Sequence, residues 1–481
     1  MTTPVLLARL SFSASSGAGH VYRSLSIIEC ALRDGWQVVV VTDDPLPHLP
    51  IEHSALTWRH LIALSETEQD DANQSLEMCT ATHKPTVVWL DHYELAQQWE
   101  RELLNQCPVA VIDDICRTHD PAVWLIDYFP GRRSLDYALN EERCLLGLRY
   151  LLLRSEFRQQ RIASRQPGLK KILIQFGGAD RNSYDVPVLQ ALHADANLTG
   201  TIVWLQGERD LLDFWQRQDL TVDVLEHCAD VALLYLSVDC AIGAAGVSVW
   251  ERQAVGLPSI VFQAADNQAD NFRYASKFPG IWAQPGLPET TTTQWMQALH
   301  SLRKGSQISS EHLDVYGANR VWQAIIPKRF CVHQNLQFIP FSQEHIHSLY
   351  SLQSVPGVRR FSRNPQIPTF AEHESWCASF LSNNAESGWL VHFQERPVAW
   401  LRLSAPGAAD FREISLLVHP EFHAMGIGNA LLRFAQEQSP LLAGYVMPEN
   451  TASRRLFERV GFKEKNNWFY WPELPAKEDH L

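Results

Sequence analysis

Two glycine loops hold the residues best suited to chemistry in this sequence: Gly17-Ala18-Gly19-His20 near one end and Met425-Gly426-Ile427-Gly428 near the other. Each follows an apolar run that reads as a strand and precedes a pattern that reads as a helix. Glycine lets the backbone come close to a phosphate, and the unpaired N–H groups of a helix N-terminus point at it with a favourable dipole. Two such loops imply two phosphate-bearing ligands. The first also carries an imidazole. A histidine at a helix N-terminus has its proton affinity lowered by the dipole, so it can stay neutral near pH 7 and take a proton from water. His20 is therefore the candidate general base. The other reading is a tight turn with a solvated histidine, which the G-x-G-H spacing alone does not separate from the first. The second loop has no ionisable group between its glycines and reads as a grip.

The elements that must position these loops form an alternating series. Apolar strand-like runs at Val5–Leu10, Gln37–Thr42, Thr86–Leu90, Ala110–Ile112, Lys171–Phe176, Thr201–Leu205, Val238–Ile242 and Ser259–Phe262 are separated by helical stretches. Alternation of this kind predicts an α/β fold with parallel sheets and crossover helices, which bind ligands beyond the carboxyl ends of the strands. Those ends carry Asp91-His92-Tyr93 and Asp113-Asp114, with Arg117 and His119 close behind, and all are expected at one cleft. Asp91 and Asp114 fit helix N-caps equally well. In the second half, Phe176-Gly177-Gly178-Ala179-Asp180 and the run Gly243-Ala244-Ala245-Gly246-Val247-Ser248 follow strands, where backbone amides could surround a diphosphate. Glu251, one turn into the next helix, is placed for a ribose diol, and Asn267-Gln268 for sugar hydroxyls. Gly177-Gly178 as a plain turn and Trp250 as a core residue are the competing readings.

At 481 residues the chain is too long for one core, and the length prior favours about three domains. The polar stretch Arg158–Leu169 divides the strand series, and a second change of pattern comes at Ile326–Gln337. The expected domains are two Rossmann-like ones, 1–160 and 161–328, and an α+β one, 335–472, with the charged tail beyond Pro472 frayed. A net charge of -13 opposes binding to nucleic acid or an anionic membrane. The nine cysteines are odd in number and scattered without a C-x-x-C pair, which points to reduced core residues in cytoplasm and to neither zinc nor redox work. Arg9 interrupts the first apolar run, which reads as a strand and not a signal peptide. No stretch reaches the roughly 20 apolar residues that span a bilayer.

A set of motifs runs in order over residues 5–280: Arg9, Gly17-Ala18-Gly19-His20-Val21 with Arg23, Asp91-His92-Tyr93, Ile112-Asp113-Asp114, Leu145-Leu146-Gly147 with Tyr150 and Leu152-Leu153-Arg154. It continues through Phe176-Gly177-Gly178-Ala179-Asp180, Trp250-Glu251-Arg252, Gly256-Leu257-Pro258-Ser259 and Asn267-Gln268. In these residues the chain resembles the UDP-sugar hydrolase family of pseudaminic acid biosynthesis. The resemblance implies a two-Rossmann, GT-B-like fold and removal of UDP from UDP-2,4-diacetamido-2,4,6-trideoxy-β-L-altropyranose by C–O cleavage without a metal. It makes His20 the base, places Tyr93 and Asn267 near the reacting centre, and gives the nucleotide to Glu251 and Gln268. Arg9, Gly243 and Ser248 complete the expected substrate contacts. The family's usual Asp two residues beyond the arginine is Ser11 here, and its Ile before the glycine loop is Ser16.

A second resemblance covers the last third. Glu413-Ile414-Ser415-Leu416-Leu417-Val418-His419-Pro420, the loop His423–Gly428 and the run Asn450–Phe462 look like the GNAT acetyltransferase superfamily. By that likeness His423, Gly426, Gly428 and Asn450 bind acetyl-CoA, and Glu413 deprotonates the acceptor amine, although an exposed strand-end Glu fits the type as well. The family's general-acid tyrosine is Phe457 here, with Tyr445 and Tyr470 as substitutes. The joint expectation is a UDP-sugar hydrolase fused to an N-acetyltransferase that acts on the UDP-4-amino-sugar precursor. A GT-B glycosyltransferase that needs an acceptor, and a catalytically silent binder of nucleotide sugar and coenzyme A, are the alternatives.

Overall fold

A computed structural model of the chain describes residues 3–12, 19–46, 51–61, 67–80, 84–159, 169–176, 182–207, 209–211, 215–228, 230–284, 297–300, 313–406 and 410–472. The chain divides into two compact units, Met1–Ile325 and Ile326–Leu481. Gly17, Ala18, Ser16 and the run Gly177–Asp180 lie outside the described residues.

The first unit is built on two parallel sheets. One contains β1 (Val5–Leu10), β2 (Gln37–Thr42), β3 (Leu56–His60), β4 (Val87–Asp91), β5 (Val109–Ile112), β6 (Trp124–Asp127) and β7 (Cys144–Leu146) in the order β3-β2-β1-β4-β5-β6-β7. Strands β1, β4 and β5 are buried along their whole length. Mostly apolar strands of this kind suit a parallel sheet covered on both faces. The other sheet contains β8 (Lys171–Gln175), β9 (Gly200–Leu205), β10 (Leu220–Leu225), β11 (Cys240–Ala244), β12 (Ser259–Phe262) and β13 (Ile281–Gln284) in the order β10-β9-β8-β11-β12-β13. Its core joins Ile172, Ile174, Val188, Leu192, Trp204, Ile242 and Phe262.

In both sheets the winding reverses direction once, between β1 and β4 and between β8 and β11. Neighbouring crossovers leave to opposite faces there, and a crevice opens at the carboxyl ends. His20 follows β1 and Asp91 ends β4; Gly246 and Ser248 follow β11. All eight runs read from the sequence are strands, with shifts such as Val238–Ile242 becoming Cys240–Ala244. Strands β3, β6, β7, β10 and β13 were missed. β7 and β13 are short, β3 and β10 are half-exposed, with burial that alternates at the start of β10, and β6 lies in the apolar run Ala122–Ile126, which the alternation of strands and helices did not single out.

After the second sheet the chain returns to the first. The helix Gly317–Ile325 packs on the helix Gly19–Arg33, with the Trp36 and Trp322 rings 4.8 Å apart and Trp322 Nε1 donating to Asp34 Oδ2 at 2.8 Å. Gly317 is required by this return, because a Cβ there would lie 2.2 Å from the Leu151 carbonyl oxygen.

The second unit is one sheet of β14 (Gln337–Pro340), β15 (Ser387–Phe393), β16 (Arg396–Leu403), β17 (Arg412–Val418), β18 (Leu442–Tyr445), β19 (Lys463–Lys465) and β20 (Trp468–Trp471), in the order β14-β15-β16-β17-β18-β20-β19. All neighbours are antiparallel except β17 and β18, whose parallel register covers Arg412↔Leu442 and Glu413↔Ala443. The two strands part after these pairs. Leu401, Ile414, Leu431, Leu432, Phe457 and Phe469 fill the core between the sheet and the helices Ile427–Gln438 and Thr451–Arg459. The chain is thus a mixed α/β molecule with parallel Rossmann-like sheets followed by an α+β unit. Among the described residues no helix is long and apolar enough to cross a membrane.

Candidate functional site

The helix Gly19–Arg33 carries His20 in its first turn and Arg23 one turn later, so both point at the end of β4. There Asp91, fully buried, lies 2.5 Å from His20 Nδ1 through Oδ1. It also accepts from Arg23 Nε at 2.7 Å, Arg23 Nη2 at 2.5 Å and Ser24 Oγ at 2.8 Å. An ionised carboxylate only accepts, so Nδ1 is the protonated, donating nitrogen of the pair. Arg23 Nη2 lies 3.1 Å from Nδ1 because both donors converge on one Asp91 oxygen. Burial would push the Asp91 carboxyl up, but Arg23 and His20 hold it below the usual carboxylate range. The reading of Asp91 as a helix cap is replaced by that of the group that orients His20. Tyr93 stands edge-on to the imidazole with ring centroids 4.5 Å apart.

The neighbouring charges split between this site and the scaffold. Arg23 Nη1 reaches Asp114 at 2.7 Å. Asp113 and His119, expected at the cleft, are instead buried against each other: His119 lies 2.7 Å from Asp113 and 2.6 Å from Glu100. Burial pulls His119 down, yet these two carboxylates raise its affinity for a proton. Arg117 Nη1 donates to the Tyr93 and Leu95 carbonyl oxygens at 2.7 and 2.9 Å and so fixes the loop that carries Tyr93. Arg9 is a second correction. Its guanidinium is 1% exposed and donates to Asp71, Asp43 and the Leu10 carbonyl oxygen, so its donors serve the protein interior and not a substrate.

At the second sheet, Ser248 opens the helix Ser248–Ala254 and accepts from the buried Arg252 Nη1 at 3.2 Å. Glu251 accepts from Arg154 Nη2 at 3.2 Å, and the Arg154 guanidinium lies 5.6 Å from the Tyr22 ring centroid. Arg154 therefore links the His20 helix to the Glu251 helix. A second link runs from Arg132, on the first sheet's side, to Asp270 at 2.9 Å, just past Gln268. Arg154 stood in the sequence only as the end of the Leu152-Leu153-Arg154 motif, and Arg132, one of two adjacent arginines, carried no signal of a role. Gln268 Oε1 accepts from the Ala264 N–H at 3.0 Å. Gly243 has no room for a side chain, since a Cβ there would sit 2.1 Å from the Gln175 carbonyl oxygen on β8. The backbone of Asn267 lies in the turn Asp266–Gln268.

In the second unit the loop before the helix Ile427–Gln438 turns through left-handed Ala424 and Gly426, φ 64° and 83°. His423 is exposed and its Nε2 lies 2.9 Å from the Val418 carbonyl oxygen. Gly428 is there for helix packing: a Cβ would come within 2.7 Å of Leu456 Cδ2. Asn450 caps the next helix by accepting from the Ser453 N–H at 3.1 Å. Glu413 sits where β17 and β18 part, 31% exposed, and pairs with Arg363 at 2.7 Å. Phe457 is a core residue against Phe462 and Phe469, and a Cβ on Gly444 would lie 2.5 Å from its ring. Among the described residues no group of three or more His, Cys, Asp or Glu could hold a metal ion.

Residues 335–463 match the acetyltransferase (GNAT) domain model. The second unit carries a GNAT acetyltransferase domain. Among solved structures, the chain is similar to spermidine N-acetyltransferase from Vibrio cholerae, crystallised with CoA and spermine, at 17% identity over 28% of this chain and 92% of that one, TM-score 0.26. It is also similar to an acetyltransferase from Thermus thermophilus, at 18% identity over 28% of this chain and 96% of that one, TM-score 0.26. MurG from Acinetobacter baumannii matches at 15% identity over 67% of this chain and 99% of that one, TM-score 0.45. No curated protein matched the chain.

Proposed function

We propose that the first unit hydrolyses a UDP-linked diacetamido-trideoxy sugar at its anomeric C–O bond, and that the GNAT domain acetylates the UDP-4-amino-sugar precursor with acetyl-CoA. The observation that carries the first half is the His20–Asp91 pair at 2.5 Å. With Nδ1–H held by Asp91, Nε2 is the nitrogen that takes a proton from water. The water oxygen then bonds to the anomeric carbon as the C–O bond to UDP breaks, and the diphosphate leaves with the electron pair. The start of the Ser248 helix faces the departing negative charge with its amide dipoles. The resemblance adds Tyr93 and Asn267 at the sugar and Glu251 with Gln268 at the nucleotide. We place the working domains at 1–160, 161–328 and 335–472.

In the second unit, the amine proton passes to Glu413, the nitrogen attacks the thioester carbonyl carbon, and the C–S bond breaks with the proton returning to the CoA thiolate. The helix N-terminus behind Gly426 holds the CoA diphosphate. The test uses the whole chain. UDP release from the diacetamido sugar is expected in water alone, and CoA release is expected when the UDP-4-amino-sugar is supplied with acetyl-CoA. UDP release that requires an added sugar or lipid acceptor would make the first unit a glycosyltransferase.

A further inference from the structure

The parting of β17 and β18 holds a second cluster. Glu413 shares Arg363 with Tyr445, 38% exposed, and Trp468, whose ring centroids are 5.6 Å apart in an edge-to-face pair. One acidic group beside two aromatic faces is a receptor for a cation: the rings offer their negative faces and the carboxylate supplies the charge. In this structure the protein's own Arg363 fills it. The Arg363 guanidinium lies 5.4 Å from the Tyr445 centroid and 5.6 Å from the Trp468 centroid, and it contacts Glu413 at 2.7 and 3.4 Å.

Arg363 belongs to the stretch between the helices Ile346–Ser354 and Phe370–Ser382, and its side chain is 60% exposed. An ion pair that open to water is held weakly. Both of its partners are apt for an amine that must lose a proton: Glu413 as the acceptor of that proton, the rings as its clamp. An arginine keeps its charge at any working pH and cannot itself be acetylated as a free amine, so it occupies the receptor without reacting.

We propose that Glu413, Tyr445 and Trp468 form the receptor for the acceptor's ammonium group, and that Arg363 is a resident stand-in which the acceptor displaces. Arg363 therefore sets acceptor affinity and excludes neutral acceptors, which cannot replace a guanidinium between two rings and a carboxylate. The inference rests on the acetyl-transfer reading of this unit and names its acceptor as a cationic primary amine. On displacement, the ammonium gives one proton to Glu413, its neutral nitrogen attacks the thioester carbonyl carbon, and as the C–S bond of acetyl-CoA breaks the second amine proton passes to the CoA thiolate.

Two measurements on the full chain test it. In the kinetic one, Arg363→Gln is expected to lower KM for the UDP-4-amino-sugar severalfold, leaving kcat and the KM for acetyl-CoA close to wild type; a raised KM would overturn the proposal, because Arg363 would then be a contact for the acceptor's own anionic part. The second needs no turnover: tetramethylammonium is observed by saturation-transfer NMR. Its signal is expected to be weak with wild type, stronger with R363Q and lost again in R363Q/W468L. An equal signal in all three overturns the receptor. A wild-type chain that transfers no acetyl group, yet shows this NMR pattern, would remove the acetyl-transfer reading and keep the cation receptor.

Discussion

His20, Asp91 and Arg23 show how much of a site is carried by who holds whom. The glycine loop pointed to His20 as a base, and the structure adds the group that gives it a tautomer. Asp91→Asn would offer Nδ1 an amide in place of a carboxylate, so kcat for UDP release is expected to fall on the order of 10²–10⁴-fold while UDP binding persists; unchanged kcat would leave the orienting role without support. The roles of Arg9, Asp113 and His119 were not legible in the sequence. A charged residue after a strand looks the same whether it faces a cleft or an interior partner, and the partners Asp71 and Glu100 come from distant helices. Asp127 belongs to this scale too. Burial pushes its carboxyl up to about 6, against the Tyr137 hydroxyl, the Phe129 N–H and Arg132, from an ordinary value of 3.8. The folded chain thus binds this proton more tightly than the unfolded one. Its contribution to stability is fully present below the ordinary value and is lost as pH rises to about 6. The urea midpoint of Asp127→Asn relative to wild type is expected to rise between pH 4 and about pH 6 and then level off; a difference that does not change with pH would contradict this.

At the scale of elements, the two glycines of the second loop have separate reasons that one motif hides. Gly426 turns the chain at φ 83°, and a Cβ there would meet His333 at 3.1 Å. Gly428 makes room for Leu456, the movable end of a flexible side chain. Gly426→Ala is therefore expected to cost about 1–2 kcal/mol and to weaken acetyl-CoA binding about tenfold or more, while Gly428→Ala weakens it far less. Titration calorimetry with acetyl-CoA checks the order, and a larger effect at Gly428 would reverse the assignment. The strands before the His20 loop and the Gly243–Ser248 run were legible because β1, β2, β4, β8 and β11 are mostly apolar. Strand β7, at three residues, is too short to show a period, whereas β6 lies in the apolar run Ala122–Ile126, ends at Asp127 and leads to Arg132.

For the molecule as a whole, the return of the helix Gly317–Ile325 to the helix Gly19–Arg33 makes Met1–Ile325 one folding unit whose ends depend on each other. A chain cut after Pro327 is expected to fold and release UDP, and one cut before Gly317 to lose solubility or melt earlier, because Trp36 and its neighbours lose their cover; equal melting of the two would refute the coupling. The alternation of strands and helices announced two parallel sheets, but the return could not be read, since nothing local in Gly317–Ile325 says which sheet it covers. The central claim is that water, poised by His20, bonds to the anomeric carbon. The direct measurement is hydrolysis of the UDP-diacetamido sugar in oxygen-labelled water, with mass spectrometry of both products. The label is expected in the free sugar and not in UDP, with release lost in His20→Asn; label on the phosphate, or turnover that survives the substitution, would contradict the account.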